Sequence, residues 1–370
     1  MSLNISNSLT YTQPGSILDG KLNYVSFRPQ GFNSYSPSET INIKLSSNTD
    51  FMVLDRSYIK FNLAFSSTAG NLSQAGGSAV FNSIVDNIGG SVLPISRNVH
   101  IKENIKLQSA TSERKAVDKY CQSSSFDGTG LALVDPTPLT ICMPFISSFE
   151  TDKVIPLAVL NGWDQSFTLN PAGTVVSVGE YTVSNFEIVA ALLTPEPQYL
   201  NQLAQGLNSG STLKIPVTMT NSITSPVTPA QSQNILVNCG YYSSINSVTF
   251  VHKESALVNS EKVSSWYLMC DSNRYPKNKS VLGPVESVYQ TLAGYATDIS
   301  TISIPHTSQK FNQYTFKTNS EFSSGIPTAN GLVELVLDFS STPTGTIETL
   351  INYDGYLEIS RNSVALFTDV

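Results

Sequence analysis

The sequence predicts an all-β protein of two consecutive eight-stranded jelly rolls, β-sandwiches with short helices in their connections. Three observations lead there. Apolar residues recur at every second position in many short segments, the period of a strand with one face on a core. Turn formers separate those segments at spacings that favour a sandwich over alternating β and α layers. Near the midpoint the chain closes one such series, crosses on a short helix and opens another: Phe186, Ile188, Ala190 and Leu192 alternate, and so do Leu213, Ile215, Val217 and Met219. A single hydrophobic core stops growing near ~250–300 residues, so the 370 residues favour two units. The predicted divisions are an arm over 1–30, a first roll over 31–194, a crossover helix and linker over 195–211, and a second roll over 212–370.

Residues 1–30 mix turn formers with isolated apolar positions, Leu3, Ile5, Leu9, Leu18, Val25 and Phe27. Such a segment cannot build a core strand alone and is expected to order in a groove between subunits. Strands are predicted at Ile41–Leu45 and, more strongly, at Phe51–Phe65, where Ile59, Phe61, Leu63 and Phe65 share a face. Ser66–Ser78 reads as a loop. Gly89-Gly90 supplies the positive φ angles of a tight hairpin between Val80–Ile88 and Val92–Ile101. Thr111–Cys121 reads as a surface helix, and strands resume at Leu139–Met143, Phe167–Leu169 and Tyr181–Leu192.

Thr194-Pro195 then offers a capping hydroxyl and a proline suited to the first helical position. Tyr199, Leu200, Leu203 and Leu207 fall on one stripe, and Gly206 and Gly210 end the helix. That stripe must be buried, and Tyr199, Leu203 and Leu207 are expected to pack between or beneath the two domains. In the second half, Asn221–Gln233 reads as a loop. Ile235–Val237, Ile245–Val251 and Trp266–Cys270 read as strands. Pro284–Ala293 reads as a helix with Val285, Val288, Tyr289 and Leu292 on one stripe. Strands at Ile299–Ile304, Tyr314–Lys317, Leu332–Phe339 and Gly355–Ile359 complete the chain. The strands at Ile41 and Leu213 are each followed by a helix about 70 residues on, a layout that suggests duplication.

Charged residues make up 13% of the chain and the net charge is −7, with Lys and Arg scattered. No cationic footprint for phosphate exists, so specific nucleic-acid binding is excluded. No basic and apolar leader is visible, and the longest apolar run, Ile188–Leu193, is far short of a bilayer span; the expectation is a protein made in the cytoplasm and not secreted. Asn4, Asn71 and Asn278 sit in chance glycosylation sequons. Cys121, Cys142, Cys239 and Cys270 form no Cys-x-x-Cys pair and read as free thiols, buried in preference to bridged.

No chemistry has a visible seat. His100, His252 and His306 stand apart from one another, which removes metal and triad readings, and phosphate-binding and nucleophile-elbow motifs are missing. Neither catalytic residues nor a cofactor or metal site is expected. Glu187, Glu334, Asp338 and Glu358 take polar positions of their strands and read as a solvated outer face before a hydrolase pair. Asp55-Arg56 reads as a turn pair.

Three stretches resemble the first domain of double jelly-roll major capsid proteins of tailless icosahedral viruses. They are Asp55–Leu63, Phe81–Ile88, and Phe186–Leu193 with the Pro195–Leu207 helix. Asn273-Arg274-Tyr275-Pro276 and Tyr353–Ile359 resemble the second. This family spans virophages, polinton-like viruses and membrane-containing phages, with adenovirus hexon as a large relative. The resemblance implies a homotrimer whose six rolls form a pseudo-hexameric block that tiles an icosahedral shell. It implies a virion location, penton and minor capsid proteins as partners, room for an underlying membrane that the chain does not span, and a plain outer surface. The competing readings are a receptor-binding or lectin-like β-sandwich module and, third, a β-sandwich hydrolase.

Overall fold

A computed structural model describes residues 21–368, except 125–130, 134–137, 239–241, 255–261, 278–279, 283–285, 290–310, 317–324, 328–331 and the single positions 68, 111, 161, 243, 288 and 362. In the first half, besides the short pieces Ser34–Tyr35, Asn71–Leu72, Leu131–Ala132 and Phe149–Glu150, the strands are β1 (Lys21–Phe27), β2 (Thr40–Leu45), β3 (Phe51–Phe65), β4 (Phe81–Ile88), β5 (Ser91–Val92), β6 (Leu139–Pro144), β7 (Trp163–Leu169) and β8 (Tyr181–Thr194). In the second they are β9 (Leu213–Pro226), β10 (Ser232–Asn238), β11 (Ile245–Lys253), β12 (Val263–Cys270), β13 (Asn273–Tyr275), β14 (Asn312–Thr315), β15 (Leu332–Phe339) and β16 (Thr346–Ile359), besides the short pieces Val281–Leu282 beside β12 and Val364–Phe367 beside β16. Every pairing among them is antiparallel.

The sheet orders are β1-β8-β3-β6 and β2-β7-β4-β5 in the first half, β9-β16-β11-β14 and β10-β15-β12-β13 in the second. Numbered from one within each half, both give 1-8-3-6 and 2-7-4-5, the jelly-roll order in which the chain swaps sheets at almost every connection. The duplication is therefore one of topology, strand for strand. The sequence reading paired the wrong members: Ile41 lies on the second strand of its roll and Leu213 on the first of its own, so the matching 70-residue offsets did not compare equivalent strands.

Alternation places the cores. Ile41, Ile43 and Leu45 of β2 and Ile59, Phe61 and Leu63 of β3 are buried against Phe81, Phe167 and Phe186, whose rings meet at 5.4 to 6.3 Å in tilted and edge-on pairs. Ile235, Val237, Phe250, Trp266, Leu335 and Leu337 form the second core. Gly89 and Gly90 take φ of +57° and +86° in the hairpin between β4 and β5.

Several expectations are corrected. The arm predicted for 1–30 begins the first roll: 21–27 are β1, hydrogen-bonded along β8 from Lys21↔Thr194 to Phe27↔Ile188. It was missed because its burial does not alternate; both of its faces are largely open. The second hairpin arm ends at Val92, and the stretch to Ile101 runs instead into helix α1 (Val99–Ser109), followed by the expected helix, here α2 (Ser112–Gln122). Asn98, a residue type favoured at helix starts, precedes α1 in the left-handed region, and its side chain bonds Ser222 and Glu348 instead of capping the helix. The loop predicted over Asn221–Gln233 is mostly strand, because β9 continues to Pro226. Tyr289, placed on a buried stripe, is exposed. The expected strand at Ile299–Ile304 lies outside the described residues.

Candidate functional site: the seam between the rolls and the open sheet face

The crossover helix α3 (Pro197–Asn208) starts two residues later than the sequence indicates. Thr194 remains in β8, where its hydroxyl donates to the Asp50 carboxylate at 2.5 Å, and Pro197 takes the first helical turn. At the other end Gly206 lies inside the helix and Gly210 closes it at φ +90°. Gly210 N donates to Leu207 O and Ser211 N to Gly206 O, the paired bonds of a Schellman motif. Leu203 and Leu207 are buried in the large core cluster. Tyr199 is partly buried against it, edge-on to Phe51 at 6.0 Å. That cluster also holds Leu213, Ile215, Val217 and Met219 of β9 and Tyr353, Leu357 and Ile359 of β16, so residues of both halves share it.

Of the arm residues, Val25 is exposed and Phe27 packs against the core from β1. Leu3, Ile5, Leu9 and Leu18 lie outside the described residues.

A second seam joins the outer face of β9-β16-β11-β14 to the first roll. Ile101 and Ile105, one turn apart on α1, bury themselves with Val251 of β11, Leu350 of β16 and Phe311. Asn98 Nδ2 donates to Ser222 Oγ at 2.7 Å and to Glu348 Oε2 at 2.9 Å. Phe149–Glu150, from the connection between β6 and β7, pairs with β9 at Met219 and Thr218. Glu150 receives Lys102 Nζ at 2.6 Å and Lys106 Nζ at 2.7 Å. Burial alone raises a carboxyl pKa, but the two ammonium groups outweigh it and hold Glu150 well below the usual range. His100, also on α1, has its pKa pushed down to about 3 by burial and by the nearby Lys253 charge.

Glu187, Asp338 and Glu358 have structural partners. Glu187, expected on a solvated face, is corrected to a largely buried position. It accepts from Ser26 Oγ at 2.7 Å and pairs with Arg28 and Lys60 at 3.2 Å each; these contacts, the Ser26 bond foremost, lower its pKa. Asp338 accepts from Ser232 and Ser265, and Glu358 faces Lys214 at 3.4 Å. Sequence reasoning missed Asp86, which is fully buried and receives Trp163 Nε1 and Ser148 N at 2.6 Å each. Burial raises its pKa against the pull of those bonds. Asp55 and Arg56 are exposed where β3 bulges away from β8. Ser57 closes that bulge by donating to Val53 O and accepting from Ala191 N. Cys121, Cys142 and Cys270 take part in no disulfide, the first two only half-buried, and Cys239 lies outside the described residues. Among the described residues no three His, Cys, Asp or Glu side chains gather as metal ligands, and no helix is long and apolar enough to cross a membrane.

No family model matches the sequence, and no curated protein sequence matches it. Solved structures do. The capsid of the virus PBCV-1 aligns with a TM-score of 0.69 at 10% identity, over 96% of this chain and 98% of that one. The Sputnik virophage structure aligns at 0.63 and 11% identity over 96% and 90%, and the Faustovirus major capsid protein at 0.60 and 6% over 94% and 92%. At such identities the likeness establishes the fold, and it runs through both rolls.

Proposed function

We propose that this chain is a structural capsid subunit, a non-enzymatic protein that assembles as a homotrimer whose six jelly rolls approximate a hexagonal tile of an icosahedral virus shell. The observation that carries this reading is the repetition of one strand order in two consecutive rolls, the arrangement that lets three chains present six similar walls. The alignments with capsid structures over more than nine-tenths of the chain support it. The low share of charged residues agrees with a surface that packs against copies of itself. The receptor-binding alternative has no comparable support, since the similar structures named above are those of capsids.

Within this reading the first roll comprises 21–194, α3 is the crossover, and the second roll begins at Leu213. Tyr199, Leu203 and Leu207 are the wedge that fixes one roll on the other. Residues 1–20, with Leu3, Ile5, Leu9 and Leu18, are the arm that ties neighbouring trimers together, while Val25 and Phe27 serve the first roll. Penton and minor capsid proteins fill the remaining shell contacts, a membrane can lie beneath the shell, and the protein is made in the cytoplasm and resides in the virion. Light scattering at micromolar concentration tests the central statement. A mass near 120 kDa, about three times the 40.0 kDa chain, is expected, and a persistent monomer overturns it.

A further inference from the structure

We propose that Cys121 and Cys142 are the two halves of a disulfide that closes in an oxidising solution and pins the end of helix α2 to strand β6. The structure holds them as two thiols, the form that a reducing compartment maintains. The cross-link joins residues of one chain, so it stands or falls apart from the trimer reading.

Both thiols sit at one crowded turn. Ile141 and Met143 of β6 are buried in the first core, and alternation turns Cys142 between them to the outer face of the sheet, in register with Lys60 of β3. The last turn of α2 meets β6 across the short turn Gly76–Val80. A Cβ on Gly76 would lie 2.3 Å from Gln122 O, and one on Gly77 would lie 2.3 Å from Ile141 Cγ2. Consecutive Cα atoms are only about 3.8 Å apart, so these two glycines let the end of the helix and the middle of the strand close in on one spot. Cys121 adjoins Gln122 and Cys142 adjoins Ile141. The Cys142 thiol pKa is raised, first by burial and next by the charge of Cys121, which puts the two sulfurs within electrostatic reach of each other. A disulfide needs Cα atoms within about 7 Å, the approach of a helix end that lies against a strand.

The helix has little apolar hold on the strand. Val117 and Tyr120 are 52% and 88% exposed, whereas the residues that α2 buries, among those described, are the polar Asp118 and Gln122. Asp118 accepts from Gln122 Nε2 at 3.0 Å and from Arg114 Nε at 3.1 Å, bonds made within the helix itself. A covalent tie supplies the hold that an apolar stripe would give, and it closes the chain between Cys121 and Cys142 into a loop, which narrows the unfolded ensemble. Cys270 is buried in the core of the second roll, away from a dissolved oxidant. With oxidised glutathione as that oxidant, one cysteine thiolate attacks a glutathione sulfur and expels the first glutathione thiolate. The other cysteine thiolate then attacks the mixed disulfide and expels the second. Two protein thiols give up two electrons and two protons, and one glutathione disulfide becomes two glutathione thiols.

The test treats the wild-type chain with oxidised glutathione at mildly alkaline pH and, in parallel, with dithiothreitol, then alkylates, digests with trypsin and weighs the peptides. No Lys or Arg lies between Tyr120 and Lys153, so both cysteines leave on one peptide. The expected result is a Tyr120–Lys153 peptide that carries no alkyl group after oxidation, weighs two hydrogens less than its dithiol form, and regains two alkylation sites after dithiothreitol. A series of glutathione redox ratios then gives the effective concentration of the two thiols, expected to be at least tenfold higher in the folded chain than in guanidinium chloride. Two alkylated cysteines after oxidation, glutathione retained on either cysteine as the end product, or a covalent dimer through one of them overturns the proposal. Equal effective concentrations in the folded and denatured chains overturn it as well.

Discussion

Replacing Leu203 is the sharpest perturbation of the seam between the rolls. The side chain is 5% exposed and lies on α3 one turn before Leu207, inside a cluster that contains strand residues of both halves. Leu203→Ala removes three carbons from a site that cannot collapse freely, because a Schellman turn and Pro197 hold the ends of the helix. Buried leucine truncations of this kind cost about 2–5 kcal/mol, the range set by the residual cavity. Leu203→Asp adds the cost of a carboxylate without a partner, so a loss of about 4–6 kcal/mol is expected, a large part of a typical domain's stability. The neighbouring Ala204 is exposed, and Ala204→Asp serves as the control, within about 1 kcal/mol of the wild type, the cost of helix propensity. Chemical denaturation followed by tryptophan fluorescence measures all three, since Trp163 and Trp266 report one roll each. Unchanged midpoints for both Leu203 variants refute the claim that this stripe is buried in the shared core.

Three further outcomes follow from a histidine, a tryptophan and a glycine. Because the folded pKa of His100 lies below its ordinary 6.5, its contribution is present above pH 6.5 and is lost as pH falls toward 3. Denaturation at pH 7 and pH 5 should differ by about 1–2 kcal/mol more in the wild type than in His100→Gln, and equal pH dependence counts against the buried neutral imidazole. Trp163→Phe leaves Asp86 Oδ1 without its indole donor and should cost about 1–3 kcal/mol beyond the lost packing, read by calorimetry against Phe167→Leu. Gly345→Ala combines φ +95° with a Cβ lying 2.0 Å from Lys253 O; a drop in melting temperature larger than that for Gly90→Ala, where nothing lies within 4 Å, is the expected result.

How much was legible in the sequence depended on whether a strand has one wet face. β2, the later part of β3 and β15 alternate because one side meets water, and their apolar period marked their extent and their core face. β1 is open on both sides and β11 closed on both. Neither condition leaves a clean period, so β1 was taken for an arm, and the outer-face burial of Ser247, Thr249 and Val251 was invisible. α1 was hidden because Val92–Ile101 reads as the second arm of the Gly89-Gly90 hairpin, whereas Asn98 turns the chain and bonds across to Ser222 and Glu348, and Phe149–Glu150 is too short to carry any pattern. Polarity misled at Glu187, which is polar because it meets Arg28 and Lys60 on the sheet. The crossover stripe was readable because Leu203 and Leu207 are four apart on a helix between glycine and proline signals, whereas the second seam was not, since Ile101, Val251 and Leu350 come together only in space.

Electron microscopy of the purified protein tests the central claim most directly. Projection averages showing a threefold particle with six similar lobes, one per jelly roll, are the predicted result. Averages showing isolated two-lobed particles at micromolar concentration, or assemblies without threefold symmetry, contradict it.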